Sequence, residues 1–440
     1  MTPFDLGLIA FPVLLVLILL RVPIMVAMFS VGVIGQYLVF GHWMPIVAQM
    51  KTLSYSSFSS YSLSVVPMFL LMGQFASRGG LSKALFDAAH KMVGHRRGGL
   101  ALSAIAACGG FGAICGSSLA TAATMGQVAL PELRKHGYSD RLSTAVLAAG
   151  GTLGVLIPPS VVLVIYAILT EQNIAKLFIV AFVPGFLAVL GYMITVAVMV
   201  RLGGESELQS ERATWTERKQ ALKEIWPVAA IFALVIGGIY GGWFTPTEGA
   251  AVGAGATGLL AYANGGLDRQ SFEDALLETA TATAMIFMIL LGAVIFNSFL
   301  ASTRLPFAAV DYVQTLALSP WMVLTIMLIV YLILGCFMDS LSMIILTIPV
   351  FFPVFKTLDF GLPAEEAALW FGILVLIVVE VGLITPPVGL NLFVINNLAG
   401  DVPLSESFKG ILPFVMSDVI RVIVLAAFPA ISLVLLRLLF

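Results

Sequence analysis

The 440-residue sequence predicts an all-α polytopic membrane protein built as an inverted repeat, each half holding five spans and one re-entrant hairpin. Three observations carry this prediction. The chain is 60% hydrophobic and only 10% charged, with mean hydropathy +1.05, which fits long apolar helices and no water-soluble domain. Two segments, Gly154-Val155-Leu156-Ile157-Pro158-Pro159-Ser160 and Gly382-Leu383-Ile384-Thr385-Pro386-Pro387-Val388, break apolar runs at places 228 residues apart. Other prolines keep nearly that offset: 223 residues between Pro23 and Pro246, 222 between Pro131 and Pro353, and 229 between Pro184 and Pro413, which indicates a duplication.

Taken in order, the apolar runs of the first half are 3–20, 23–40, 64–76, 142–170 and 174–200. The third is short for a span and has room to extend backwards. A polar connector at 203–223 follows, carrying Glu205, Glu207, Glu211, Arg212, Glu217, Arg218 and Lys219. The second series is 225–242, 246–262, 281–302, 369–398 and 408–440. Residues 1–20 lack a basic leader and a small-residue cleavage site, so they read as a retained span.

Between the third and fourth runs of each half lies a segment of 35 residues (99–133) or 36 residues (320–355). Two full crossings need about 43 residues, at ~20 per span. Each segment therefore reads as two half-helices meeting at a tip. The expected tips are Gly109-Gly110 through Gly116-Ser117-Ser118, and Gly335 through Met338-Asp339-Ser340. The domain division is then 1–63 (scaffold helices), 64–200 (arm, hairpin and broken helix), 201–224 (cytoplasmic connector), 225–280 (scaffold helices) and 281–440 (arm, hairpin and broken helix).

A hairpin returns to its own side, so each half crosses five times and the second half is inverted. Sixteen lysines and arginines fall on one side, among them Arg96, Arg97, Arg134 and Lys135; five fall on the other, and Arg421 lies within a span. By the positive-inside rule the first hairpin enters from the cytoplasm, the second from outside, and both termini are external.

Broken spans in corresponding positions mark a transporter's binding site. Proline has no N–H to donate, so carbonyls are freed at both breaks. Half-helix N-termini suit a carboxylate and freed carbonyls suit a sodium ion, which takes about five or six hard oxygens. At least two sodium sites are expected. Site one combines Gly116, Ser117, Ser118 and Thr121 with Gly154, Ile157, Pro158 and Ser160; site two combines Met338, Asp339, Ser340 and Ser342 with Thr385, Pro386 and Gly389. Ser118, Pro159, Ser340 and Pro387 are the substrate candidates.

Ionisable groups inside spans are functional candidates by default. Glu380 reads as either a structural carboxylate or an ion or gating group; Asp418 and Arg421 read as a local ion pair, and Glu248 as a helix N-terminal charge. Segments 82–95 and 270–277 look amphipathic, as interfacial anchors or as links between a mobile part and its frame.

Other functions fit poorly. Net charge of -2 excludes nucleic-acid binding. Cys108, Cys115 and Cys336 have no Cys-x-x-Cys spacing, and the four histidines fall in predicted loops or surface helices, so no zinc or disulfide framework is implied. No phosphate-binding Gly-x-x-x-x-Gly-Lys-Ser/Thr stretch is present, which leaves an ion gradient as energy source.

At Gly116-Ser117-Ser118 with Ala120-Thr121-Ala122-Ala123, at Gly151-Thr152-Leu153-Gly154 running into Ile157-Pro158-Pro159-Ser160, and at Leu169-Thr170-Glu171-Gln172, the chain resembles the large membrane subunit of tripartite ATP-independent periplasmic (TRAP) transporters. Thr245-Pro246-Thr247-Glu248 and Glu380 through Thr385-Pro386-Pro387-Val388-Gly389 extend the resemblance over nearly the whole chain. It implies a bacterial inner-membrane location, a separate small four-helix membrane subunit, and a soluble periplasmic binding protein that delivers substrate. It also implies sodium-driven uptake of an organic acid, commonly a dicarboxylate or an acidic sugar such as sialic acid, by an elevator movement. Two other readings stay open: a stand-alone ion-coupled anion transporter of the same superfamily, and an intramembrane hydrolase using Ser117 or Asp339. No apolar span supplies a histidine or lysine base for Ser117, which counts against the hydrolase.

Overall fold

A computed structural model describes residues 2–203, 212–316 and 318–440; Glu205, Glu207 and Glu211 of the connector lie outside the described residues. Regular structure among the described residues is helical throughout. The first half opens with α1 (Pro3–Leu19), started by a reciprocal cap between Thr2 and Asp5, and α2 (Ile24–Phe40), which stops at Gly41 in the left-handed region. Next come α3 (Met44–Phe58), a 3-10 turn (Tyr61–Ser64) and α4 (Val65–Arg78). The run expected at 64–76 is α4, and its backward extension is the separate α3, hidden in hydropathy by Gln49, Lys51 and Thr52. α5 (Leu81–Val93) matches the amphipathic segment at 82–95.

Each segment expected as a hairpin is a pair of consecutive helices. The first is α6 (Gly99–Cys115) and α7 (Ser118–Lys135), followed by α8 (Asp140–Leu156) and α9 (Val161–Thr170), bent by 43° at the first proline pair. Its tip is narrower than expected: Gly109 and Gly110 lie inside α6, and only Gly116 and Ser117 separate the helices. α10 (Ile174–Gly203) ends the half.

The second half runs α11 (Trp215–Tyr240), α12 (Pro246–Ala263), α13 (Arg269–Thr303) and α14 (Leu305–Thr315). Its hairpin is α15 (Pro320–Gly335) and α16 (Ser340–Phe355), and its broken helix is α17 (Ala364–Gly382) and α18 (Leu390–Ala399). α19 (Leu404–Ala427) and α20 (Pro429–Leu439) close the chain. Two expectations are corrected here. Segment 270–277 is the first part of α13, with α14 as the short separate helix of this half, and 408–440 is divided by Pro429, whose ring cannot continue α19.

Among the described residues, four helices are long and apolar enough to cross a membrane alone: Ile174–Leu202, Trp215–Tyr240, Arg269–Thr303 and Leu404–Ala427. The bent α8–α9 pair adds a fifth, and seven shorter apolar helices have 10–17 residues. Small residues bring helices together where no hydrophobic force distinguishes protein from lipid. A Cβ on Gly32 of α2 would stand 2.8 Å from the Phe296 nitrogen of α13, and one on Gly258 of α12 would stand 3.0 Å from the Phe75 ring of α4. α2 thus lies along α13, and α12 along α4. The hairpins cross over between halves: α7 packs on α18, and α16 on α9.

Candidate functional site

The first tip is made by Gly116, whose φ of +65° is the left-handed region that glycine adopts at low cost. Ser117 then caps α7, its hydroxyl accepting from the Ala120 N–H at 3.4 Å. The tip lies directly on the first break, for a Cβ at Gly116 would be 3.0 Å from the Pro159 carbonyl oxygen. Because Pro158 and Pro159 lack N–H groups, the Gly154 and Val155 carbonyls lose their helical donors. The Pro158-Pro159 peptide is cis, and Ser160 restarts the helix by accepting from the Leu163 N–H at 3.4 Å.

A Cβ on Gly154 would clash with the Thr121 hydroxyl and stand 2.6 Å from the Ser117 carbonyl oxygen. Thr121 Oγ1 is buried with no partner among the described residues. Gly116, Ser117, Thr121, Gly154, Pro158 and Ser160 are therefore gathered at one place that is rich in oxygen. Two members of the predicted set turn elsewhere. Ile157 packs against Gly109 and Gly185, and Ser118 points to Glu380.

At the second tip Asp339 caps α16: its carboxylate accepts from the Ser342 N–H at 3.1 Å and from the Ser342 hydroxyl. The two residues satisfy one another. Met338 is buried behind them. Contact with the second break is made on the hairpin side by Gly335 and Cys336, which are outside the predicted set. A Cβ on Gly335 would lie 3.0 Å from the Gly382 Cα, and the Cys336 thiol donates to the Pro386 carbonyl at 3.5 Å. The Thr385 hydroxyl donates to the Val381 carbonyl at 2.6 Å. Gly389, at φ +66°, turns the chain into α18, and the Asn391 N–H closes the loop on the Leu383 carbonyl at 3.1 Å. Pro386-Pro387 is also cis, but Pro387 is exposed where Pro159 is buried.

The two tips meet on one carboxylate. Glu380, in the last turn of α17 and 1% exposed, accepts from the Ser340 hydroxyl at 2.6 Å and from the Ser118 hydroxyl at 3.5 Å on the same oxygen. A cavity of about 70 Å³ lies between the tips, lined by Ser117, Ser118, Asp339 and Ser340.

A second polar network lies further along the helices. Asp418 is 2.8 Å from Arg421, as the i,i+3 spacing predicts, and its other oxygen accepts from the Tyr192 hydroxyl at 2.7 Å. Thr152 stands 2.9 Å from that hydroxyl, so α8, α10 and α19 are linked through one buried chain of polar groups. Sequence reasoning missed Tyr192 and Asn391 and gave Thr152 no role of its own; their signal was polarity within apolar runs. Glu248 is the reciprocal cap partner of Thr245 at the start of α12, in keeping with its reading as a helix N-terminal charge.

Residues 11–431 match the family described as "Tripartite ATP-independent periplasmic transporter, DctM component". The chain is 37% identical over 377 residues to the C4-dicarboxylate TRAP transporter large permease protein DctM of Pseudomonas aeruginosa, covering 85% of this chain and 86% of that protein. It is 31% identical over 379 residues to the sialic acid TRAP transporter large permease protein SiaM of Vibrio cholerae, covering 86% of each. To the ectoine TRAP transporter large permease protein TeaC of Halomonas elongata it is 30% identical over 422 residues, covering 95% and 96%. The fold is similar to that of the Alcanivorax borkumensis YdaH transporter, with a TM-score of 0.64 at 14% identity over 88% of this chain and 89% of that one.

Proposed function

The chain belongs to the DctM component family of tripartite ATP-independent periplasmic transporters and is a multi-pass inner-membrane transport subunit, not an enzyme; from this premise we propose that it drives sodium-coupled import of an organic acid by an elevator movement. A periplasmic binding protein delivers the acid to the outer face, and a separate small membrane subunit packs beside the large one. The observation that carries the reading is the convergence of both hairpin tips, each seated near a proline break, on Glu380.

The halves are read as an inverted repeat with both termini in the periplasm. Supporting this, each half has the order arm, short helix, hairpin, broken helix, and the packing of α2 on α13 answers that of α12 on α4. Those four helices, with α1 and α11, form the frame. The hairpins and broken helices form the moving part, and α5 and α14 join the two. Site one is assigned one sodium through the Ser117 carbonyl, the Thr121 hydroxyl and the freed carbonyls of the first break. Site two is assigned another at the second tip and the Thr385–Gly389 turn. Substrate lies beside Ser118 and Ser340, with Pro159 and Pro387 on either flank.

The relatives' names include C4-dicarboxylate, sialic acid and ectoine, which supports an organic acid as the substrate here, with a dicarboxylate or acidic sugar as the first candidates. Uptake into liposomes with a sodium gradient, run with and without the binding protein, tests the reading. Transport is expected only with both present. Uptake without any binding protein would overturn the tripartite reading in favour of a stand-alone carrier, and uptake indifferent to sodium would overturn the coupling.

A further inference from the structure

A groove of about 790 Å³ runs between α10 and α19, bordered by the exposed apolar side chains Ile194, Leu202, Met416 and Ile420. Its walls extend from Leu202 to Leu187 on α10 and from Pro413 to Val424 on α19. These stretches are about 22 Å and 17 Å long, at ~1.5 Å of rise per residue. One leaflet of a bilayer's hydrocarbon core is about 15 Å deep, so the groove is long enough to take an acyl chain lengthwise.

Charge distinguishes one end. Arg141, at the start of α8, lines the groove and is exposed, and Arg201 is exposed beside Leu202. Neither forms an ion pair among the described residues. The acids beside Arg141 are taken: Asp140 by Arg134 at 2.8 Å, and Glu406 by Lys409 at 2.7 Å. Arg421, further along the wall, is neutralised by Asp418. Two free guanidinium groups therefore stand at the rim of an apolar slot, which is the arrangement that suits a lipid phosphate with its chain below.

We propose that this groove holds one anionic phospholipid of the cytoplasmic leaflet, its phosphate at Arg141 and Arg201 and an acyl chain laid between α10 and α19. The leaflet rests on the orientation given above, with the first hairpin entering from the cytoplasm; the site itself does not. A lipid fits this place better than a neighbouring subunit does. Both helices pack on α8, which leads into the first break, so on the elevator reading they go with the moving part. A subunit fixed to the frame would be left behind, whereas a lipid is carried along. The chain adds apolar contact between two helices that the Tyr192–Asp418 bond already links.

The test uses the purified complex with its small subunit, stripped of lipid in detergent, with dioleoyl phosphatidylglycerol as probe and dioleoyl phosphatidylcholine as its zwitterionic counterpart. Native mass spectrometry is expected to show one phosphatidylglycerol kept per permease under activation that removes phosphatidylcholine, and the same lipid should raise the melting temperature. Arg141→Gln/Arg201→Gln, at two exposed positions, is expected to weaken that binding at least tenfold. Arg269→Gln, an exposed cation on the same side, should leave it unchanged. Ile194→Trp keeps the rim but fills the groove, and should lose the lipid as well. Equal retention of the two lipids, or either groove variant binding phosphatidylglycerol like wild type, overturns the proposal. So does inorganic phosphate that stabilises the protein as well as the lipid does, since that would make the rim an anion site with no chain. A membrane-impermeant maleimide applied to whole cells carrying Arg201→Cys reports the leaflet: labelling from outside would overturn the orientation and leave the lipid site standing.

Discussion

Gly112 on α6 and Gly154 on α8 meet backbone to backbone: a Cβ built on Gly112 would stand 2.7 Å from the Gly154 Cα. Gly335 and Gly382 stand in the same relation in the second half, at 3.0 Å. In both places the first arm of a hairpin presses on the helix just before its proline break. Gly112→Ala and Gly335→Ala are each expected to cost about 1–3 kcal/mol through overpacking. Gly237→Ala is the control, because a Cβ there meets nothing within 4 Å and alanine favours the helix by roughly 0.5–1 kcal/mol. Thermal unfolding of the purified permease compares them, and equal responses at all three positions would show that the hairpins are not tightly seated.

Thr121 distinguishes an ion ligand from a packing residue. Its hydroxyl is buried and unpartnered, so Thr121→Val removes an unsatisfied group and should leave the sodium-free protein as stable as wild type or slightly more so. Sodium-dependent stabilisation should fall at least tenfold in apparent affinity. Melting temperatures across a sodium chloride series, with choline chloride holding ionic strength, give both quantities. A variant that melts early without sodium yet responds to it normally would assign Thr121 to packing alone.

The buried pair Asp418–Arg421 should behave asymmetrically. Asp418→Asn leaves the guanidinium uncompensated among apolar side chains and is expected to cost about 3–5 kcal/mol, as breaking a buried pair does. Replacing both partners together, Asp418→Leu with Arg421→Met, should recover most of that loss. Denaturation of the two variants side by side makes the comparison. A double variant no better than the single one would mean that the Tyr192–Asp418 bond, and not the ion pair, holds α10 to α19.

Outside the membrane-spanning helices, Arg134 at the end of α7 ties down the turn after α18: it donates to Asp401 at 2.6 Å, to Asp140 at 2.8 Å and to the Ala399 carbonyl at 3.4 Å. The Arg134 hydrogen bond holds the Asp401 carboxyl below its ordinary value of 3.8. A lowered folded-state value stabilises fully above the ordinary value and is lost as pH falls through the lowered one. Hydrogen exchange in the 399–404 turn should therefore be the same, after correction for intrinsic rates, at pH 7 and pH 5, and rise only below the ordinary value. Arg134→Gln should raise it at every pH. Protection that fades between pH 7 and pH 5 would point to a group other than Asp401.

The positions of the short helix pairs and of the breaks were legible because their chemistry is local. Half-span lengths, glycine and serine at the tips, and paired prolines each leave a mark within a few residues. Helices α3 and α14 escaped notice because Lys51, Gln49 and Asp311 lower their hydropathy, although the backbone remains helical. Within the site, the oxygens around Gly154 were found because they lie on adjoining segments. The meeting of Ser118 and Ser340 on Glu380 was not, since it joins residues 262 and 40 positions apart and no periodicity records such a pairing. Cys336 was overlooked for a related reason: its partner is a backbone carbonyl, which has no sequence signature.

The crossing of α7 onto α18 and of α16 onto α9 imposes an order on biosynthesis. Once residues 99–170 have left the ribosome, the first hairpin and first broken helix can pack together, yet the faces that will receive α18 and α16 have nothing to cover them. Only after residue 399 is made can Asn391 reach the Ala148 carbonyl and close the older half. For more than half of its translation the nascent permease is an unfinished clasp. Quality-control proteases of the membrane meet it in that state, and truncations anywhere before α18 should be cleared rather than accumulate.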